Sequence, residues 1–147
     1  MIVCVQRVVS ADVKVGGEIK GAIGHGLLVL LGVKRDDDIS NAKTVAEKVC
    51  NLRIFPDADG KMSLSVKDTG GEILIISQFT LAADTNKGNR PDFTNAAPPQ
   101  LAENLYMEYI GFTKSVIGAD RVKQGVFAAS MQVSLINDGP VTIVMDR

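Results

Sequence analysis

The feature that most constrains the fold is the run Leu27-Leu28-Val29-Leu30-Leu31-Gly32-Val33, which has no polar side chain. A strand with one wet face alternates apolar and polar residues, so a run that is apolar throughout reads as a strand covered on both faces. This segment is expected at the centre of a sheet. The wider apolar stretch, Ala22 to Val33, is broken by Gly24, His25 and Gly26 and is too short to cross a bilayer, so no membrane association is expected. A chain of 147 residues accommodates one domain, 1–147, with a core that needs neither disulfides nor metal.

Other elements follow from period and punctuation. Ile2 to Val9 is nearly all apolar, and Ala11, Val13 and Val15 then alternate with Asp12 and Lys14 up to Gly16-Gly17, a hairpin pattern. Asp36, Asp37 and Asp38 precede apolar residues at helical spacing, which predicts a helix from about Ile39 to Leu52 with acids near its positive end. Asp57-Ala58-Asp59-Gly60 predicts a tight turn, and Glu72 to Leu81 a further apolar strand with a polar end. Ala82 to Pro99 is a long loop carrying Asp84, Lys87, Arg90 and Asp92. Pro98-Pro99 opens a helix whose buried face is expected at Leu101, Leu105, Tyr109, Phe112 and Val116 and whose stop is Gly118. Met131 to Leu135 alternates, Asn137-Asp138-Gly139-Pro140 interrupts, and Val141 to Met145 is the last strand. The expectation is a single compact α/β domain of mixed β-sheet with flanking helices.

Charge and composition exclude several functions. Sixteen basic residues against seventeen acidic ones give a net charge of −1, which is no footprint for gripping a duplex, so any nucleic-acid contact must be local. The N-terminus has no basic region before an apolar core and no small-residue cleavage site, so a secretory signal is not expected. Cys4 and Cys50, far apart among apolar neighbours, suit buried free thiols in a reducing compartment, and the cytoplasm is the expected location. One His and two scattered Cys do not make a zinc cluster, and no metal or cofactor is expected.

His25 is the only imidazole. Within Gly24-His25-Gly26 it reads as part of a turn between strands, with a general base as the competing reading. No nucleophile elbow accompanies it, and the chain has no Walker loop, dinucleotide fingerprint or complete calcium loop. Two segments remain. Ser77-Gln78-Phe79-Thr80-Leu81 puts two hydroxyls and an amide at a strand end, either to converge with backbone N–H groups on a carbonyl oxygen or to satisfy the adjacent loop. Asn137-Asp138-Gly139-Pro140 reads as a hairpin turn, although Pro after Gly removes a ladder donor and raises the chance of a cis bond that aims successive carbonyls unusually.

Several segments share an order and spacing with a known family: Gln6-Arg7-Val8, Arg53-Ile54-Phe55, Gly60-Lys61-Met62, Ser77 through Asp84, Gly88-Asn89-Arg90-Pro91, Met131 through Leu135 and Asn137 through Thr142. Nearly end to end, the chain resembles the bacterial type of D-aminoacyl-tRNA deacylase. The resemblance implies a hydrolase that splits the ester between a D-amino acid and the terminal adenosine of tRNA, a chiral proofreading step. It also implies a homodimer in which Ser77, Gln78, Phe79 and Thr80 of one subunit face a cis Gly139-Pro140 pair from the other, with no cofactor.

On that resemblance, an L-residue is excluded by rigid backbone, whereas glycine, with no side chain to clash, leaks through. Backbone N–H groups around Phe79 and Thr80 would stabilise the oxyanion, and Gln78 would position the ester. Phe127 and Met131 would contact the adenine, and Arg7 would brace the Gly139-Pro140 carbonyls. For the attacking water, assistance by the ribose 2′-hydroxyl competes with Thr80 as a covalent nucleophile, which would need a base this sequence does not display. Lys87 and Arg90 are candidates for phosphate contact, or simply solvated charges. Alternative functions are a non-catalytic homo-oligomeric module that binds RNA or nucleotide ends, and a hydrolase of another activated ester.

Overall fold

A computed structural model describes residues 1–147. In chain order the elements are β1 (Ile2–Val15), β2 (Glu18–Ile23), β3 (Gly26–Gly32), α1 (Ile39–Cys50), β4 (Phe55–Pro56), β5 (Met62–Leu64) and β6 (Glu72–Ser77). A 3-10 turn (Phe79–Ala82), α2 (Pro99–Ile117), a second 3-10 turn (Ala119–Arg121), β7 (Val122–Gln124) and β8 (Gln132–Asp146) complete it. The main sheet runs β2-β1-β3-β6-β7, with β8 also paired to β1. β3 is antiparallel to β1 and parallel to β6.

The apolar run is explained by two cores. Leu27, Val29 and Leu31 of β3 and Ile73 and Ile75 of β6 pack in the larger cluster, with Ala42, Val45 and Val49 of α1 and Tyr106, Tyr109 and Ile110 of α2. The residues between them, Leu28, Leu74 and Ile76, face the other way and join Val8, Ala11, Val13 and Ile23 in a second cluster. Strands buried on both faces have no place for a polar residue. α1 starts on Asp38, which accepts from the Ser40 and Asn41 backbone N–H groups while the Asn41 side chain accepts from the Asp38 N–H. Asp37 turns inward instead and pairs at 2.6 Å with the amino group of Met1.

Four expectations are corrected. β6 ends at Ser77, and the chain passes into a 3-10 turn over Phe79–Ala82 rather than extending to Leu81. The buried row of α2 is Ala102, Leu105, Tyr106, Tyr109, Ile110, Thr113 and Ile117, while Leu101, Phe112 and Val116 are half-buried. Tyr106 fixes that rotation, since its hydroxyl donates to the Ile75 carbonyl of β6 at 2.9 Å. Cys4 is half-buried, whereas Cys50 is buried, and both are free thiols.

The fourth concerns Asn137–Pro140, which is no hairpin turn. β8 runs on through it along the same neighbour: Gln6 pairs with Thr142 and Val8 with Asn137, so the four residues Asp138 to Val141 bulge out opposite Arg7 alone. β1 presents one long edge, and the strand regains it after the bulge. No helix is long and apolar enough to cross a membrane.

Candidate active site

At the C-terminal end of β6 a mostly apolar pocket of about 530 Å³ opens to the surface. Its rear comes from Leu31 near the end of β3, from Val33 just beyond it, and from Ile76, Met131 and Val133. One wall is Ser77, Gln78 and Phe79, and another is Ala96, Ala97 and Pro99 at the entry to α2. Phe127, Ala128 and Ala129 close it. A parallel strand that ends at a loop leaves its last residues facing a crevice, which is why the polar end of β6 lies here.

Local contacts hold this arrangement. Gln78 N–H donates to the Leu31 carbonyl at 2.8 Å, and Ala97 N–H to the Val33 carbonyl at 3.0 Å, so both walls are tied to the same line of chain. Gly125 N–H donates to Ile75 at 2.9 Å, and a Cβ on Gly125 would lie 2.6 Å from the Met131 sulfur, so glycine admits that side chain to the pocket floor. The Phe127 ring rests 5.8 Å from that of Tyr106. Ala128 adopts φ 59°, a left-handed backbone for a residue with a Cβ, and nothing in its identity signals this.

The polar groups are few. Gln78 Nε2 donates to Thr80 Oγ1, fixing the amide beside the hydroxyl. Phe79 and Thr80 begin the 3-10 turn, so their N–H groups lack an acceptor within it, and Gln78 provides no side-chain cap. The Tyr106 hydroxyl is pushed well above its ordinary range by burial, so it stays neutral. His25 lies between β2 and β3 with its ring 5.0 Å from Phe55 and belongs to the turn, not to this pocket.

Of the residues singled out from sequence, Ser77, Gln78, Phe79, Phe127 and Met131 meet in the pocket, and Thr80 joins them through Gln78. Arg7, Gly139 and Pro140 do not. Gly139 and Pro140 on β8 lie three strand spacings (about 14 Å) to the side of Ser77, and Arg7 on β1 lies two (about 10 Å); all three are four residues (about 13 Å) along the strands from the Leu31–Ser77 pair. The Gly139–Pro140 bond is cis. Arg7 does not reach the carbonyls of those two residues: its Nε donates to the Asp138 carbonyl at 3.0 Å and its Nη1 to the Ile54 carbonyl at 2.5 Å.

Sequence reading missed Leu31, Val33, Ala96 and Ala97, whose types signal only core or loop, and Phe93, whose ring packs on Phe79. Against this geometry, the model of the family described as D-Tyr-tRNA(Tyr) deacylase matches residues 4–146. The chain belongs to that deacylase family. It is similar to the D-aminoacyl-tRNA deacylase of Histophilus somni (strain 2336), 60% identical over 142 residues, or 97% of this chain and 96% of that protein. The D-aminoacyl-tRNA deacylase of Thermodesulfovibrio yellowstonii is 50% identical over 146 residues, 99% of each chain. Among solved structures, the c-Myc DNA unwinding element binding protein superposes with a TM-score of 0.96 at 44% identity, covering 100% of this chain and 99% of that one. A probable eukaryotic D-amino acid tRNA deacylase gives a TM-score of 0.89 at 17% identity over 99% and 98%, a likeness of fold. The α/β architecture with one mixed main sheet and two helices is thus that of the deacylase family.

Proposed function

We propose that this chain hydrolyses the ester of D-aminoacyl-tRNA, releasing D-amino acid and tRNA. The observation that carries the reading is the convergence of Ser77, Gln78, Phe79, Phe127 and Met131 on one pocket in a member of this family. Water adds to the ester carbonyl carbon, the N–H groups of Phe79 and Thr80 hold the resulting oxyanion, and Gln78 orients the ester. The bond from carbon to the ribose 3′-oxygen then breaks, and that oxygen takes a proton. Phe127 and Met131 receive the terminal adenine.

The ribose 2′-hydroxyl assists the water. Thr80 Oγ1 accepts a hydrogen bond from Gln78, which draws electron density from the hydroxyl rather than activating it, and this favours the RNA-assisted route over a threonyl ester. The expected site of action is the cytoplasm.

Chirality is read by Gly139 and Pro140 of a second copy, because one chain holds them too far from its own pocket. The outer edge of β8 has no partner strand within the chain, and Ile136 and Val144 on it are 60% and 67% exposed, which supports a homodimer. Rigid backbone from the second copy excludes an L side chain and leaves glycine free to enter. Lys87 and Arg90 approach the tRNA phosphates.

Purified protein incubated with D-tyrosyl-tRNA and L-tyrosyl-tRNA tests the reading: D-ester hydrolysis at least 100-fold faster is expected, and equal rates defeat it. Mixing Gln78→Ala with Gly139→Ala chains tests the shared site. One intact site per heterodimer should restore activity, and no recovery with exchange verified refutes sharing.

A further inference from the structure

Of the seven aromatic side chains in this sequence, five Phe and two Tyr, Phe79 and Phe93 are the exposed ones, at 57% and 37%. They pack on each other edge to face, with ring centroids 5.1 Å apart and planes at 64°. Phe79 lines the pocket, and the Phe93 carbonyl accepts from the N–H of Ala96 in the opposite wall at 2.9 Å. The pair therefore stands on the pocket rim. An edge-to-face pair leaves ring surface free to take a third flat group.

Arg90 lines a small surface hollow together with Phe93. Asp84 and Asp92 exchange backbone hydrogen bonds of 2.7 and 2.9 Å and so pinch off a loop whose exposed tip holds Lys87 and Arg90. Neither is in an ion pair. The acids at the loop base are engaged locally: Asp84 accepts from the Asn86 N–H, and Asp92 from the Thr94 N–H and hydroxyl. Those bonds, the hydroxyl's foremost, hold the Asp92 carboxyl below its usual range.

We propose that Phe93, seated on Phe79, is the stacking platform for the penultimate nucleotide of the tRNA 3′ tail, with Arg90 and Lys87 meeting its phosphate. The inference rests on the function proposed above and names a second nucleotide subsite. An ester on the last ribose leaves the RNA one exit, through the 5′-phosphate of that nucleotide, so the preceding residue passes over the rim. Stacking suits this task because every base offers a π-face and the subsite need not read sequence. A protein of net charge −1 must hold a single-stranded tail by such local contacts.

The test compares wild type, Phe93→Ala and Phe93→Tyr on D-tyrosyl-tRNA and on D-tyrosyl-adenosine, which lacks the penultimate nucleotide. Phe93→Ala should raise KM for the tRNA about tenfold with kcat unchanged, leave D-tyrosyl-adenosine within about twofold, and be rescued by Tyr. Equal losses on both substrates overturn the proposal, as does conversion of a dimer to a monomer by Phe93→Ala in light scattering. Calorimetry with the dinucleotide CpA and with adenosine separates this inference from the parent function. Tighter CpA binding, lost in Phe93→Ala, supports the platform even where neither ester is hydrolysed; no advantage of CpA over adenosine in wild type overturns it.

Discussion

Arg7 faces Asp138 across the β1–β8 pair, and its Nε sits 3.0 Å from the Asp138 carbonyl and 2.9 Å from the carboxylate. The contact closes in both directions, because Asn137 Nδ2 donates to the Arg7 carbonyl at 3.0 Å and to the Val141 carbonyl at 3.2 Å. One residue of β1 thus fastens four residues of bulge, and its remaining reach goes to Ile54. The bulge is where Gly139 and Pro140 project, so its rigidity bears directly on the proposed chiral filter.

Arg7→Ala should therefore cost about 2 kcal/mol of stability, since it removes charge-assisted bonds to two carbonyls from a side chain only 11% exposed. It should also narrow the D-over-L rate ratio. Arg7→Lys should recover less than half of either loss, because an ammonium lacks the fork that spans Asp138 and Ile54. Urea unfolding with parallel D- and L-ester assays checks both, and an unchanged rate ratio in Arg7→Ala would detach the bulge from selectivity.

Thr80→Ala should keep kcat/KM within about tenfold of wild type, since the hydroxyl has only the Gln78 amide as a partner. A substrate analogue without the 2′-hydroxyl should react at least 100-fold more slowly. Loss of activity in Thr80→Ala together with full activity on the deoxy analogue would restore a threonine nucleophile.

Two glycines should respond in opposite directions. A Cβ on Gly26 would lie 1.9 Å from the Glu72 carbonyl oxygen across the β3–β6 pair, so Gly26→Ala should cost about 3 kcal/mol by forcing central strands apart. Gly111, on the exposed side of α2, has open space around its Cβ position, and Gly111→Ala should stabilise by about 0.5–1 kcal/mol through helix propensity. Denaturant midpoints measure both, and equal shifts would contradict the packing described.

Burial pushes the Cys50 thiol up to about 12, with Arg121 and Lys67 opposing weakly. Its folded pKa therefore stands above the unfolded value. The corresponding stability is fully present below about pH 9 and is lost as pH rises from there through about 12. At pH 8 Cys50 should resist a disulfide reagent, and Cys4, also raised by burial, should react slowly. Unfolding in guanidinium should release both thiols. Rapid titration of two thiols in the native protein would refute the buried placement.

Much of the fold was legible because its signals are local. The unbroken apolar run announced β3 as central, Gly16-Gly17 closed the first hairpin, and Asp38 and Gly118 bounded the two helices, each by chemistry within a few residues. The serine-to-threonine motif likewise marked one wall of the pocket. Local signals failed where a distant partner decided the outcome. Asn137–Pro140 has the composition of a turn, yet a β1 edge more than 120 residues earlier in the chain keeps it in a bulged strand. The buried face of α2 is rotated toward Tyr106 because the Ile75 carbonyl lies within reach of its hydroxyl. Periodicity reports which residues leave water, so the sequence determined the elements and the polar groups; which segments meet depends on long-range register, so only the tertiary structure set Phe93 beside Phe79 and Arg7 opposite Asp138.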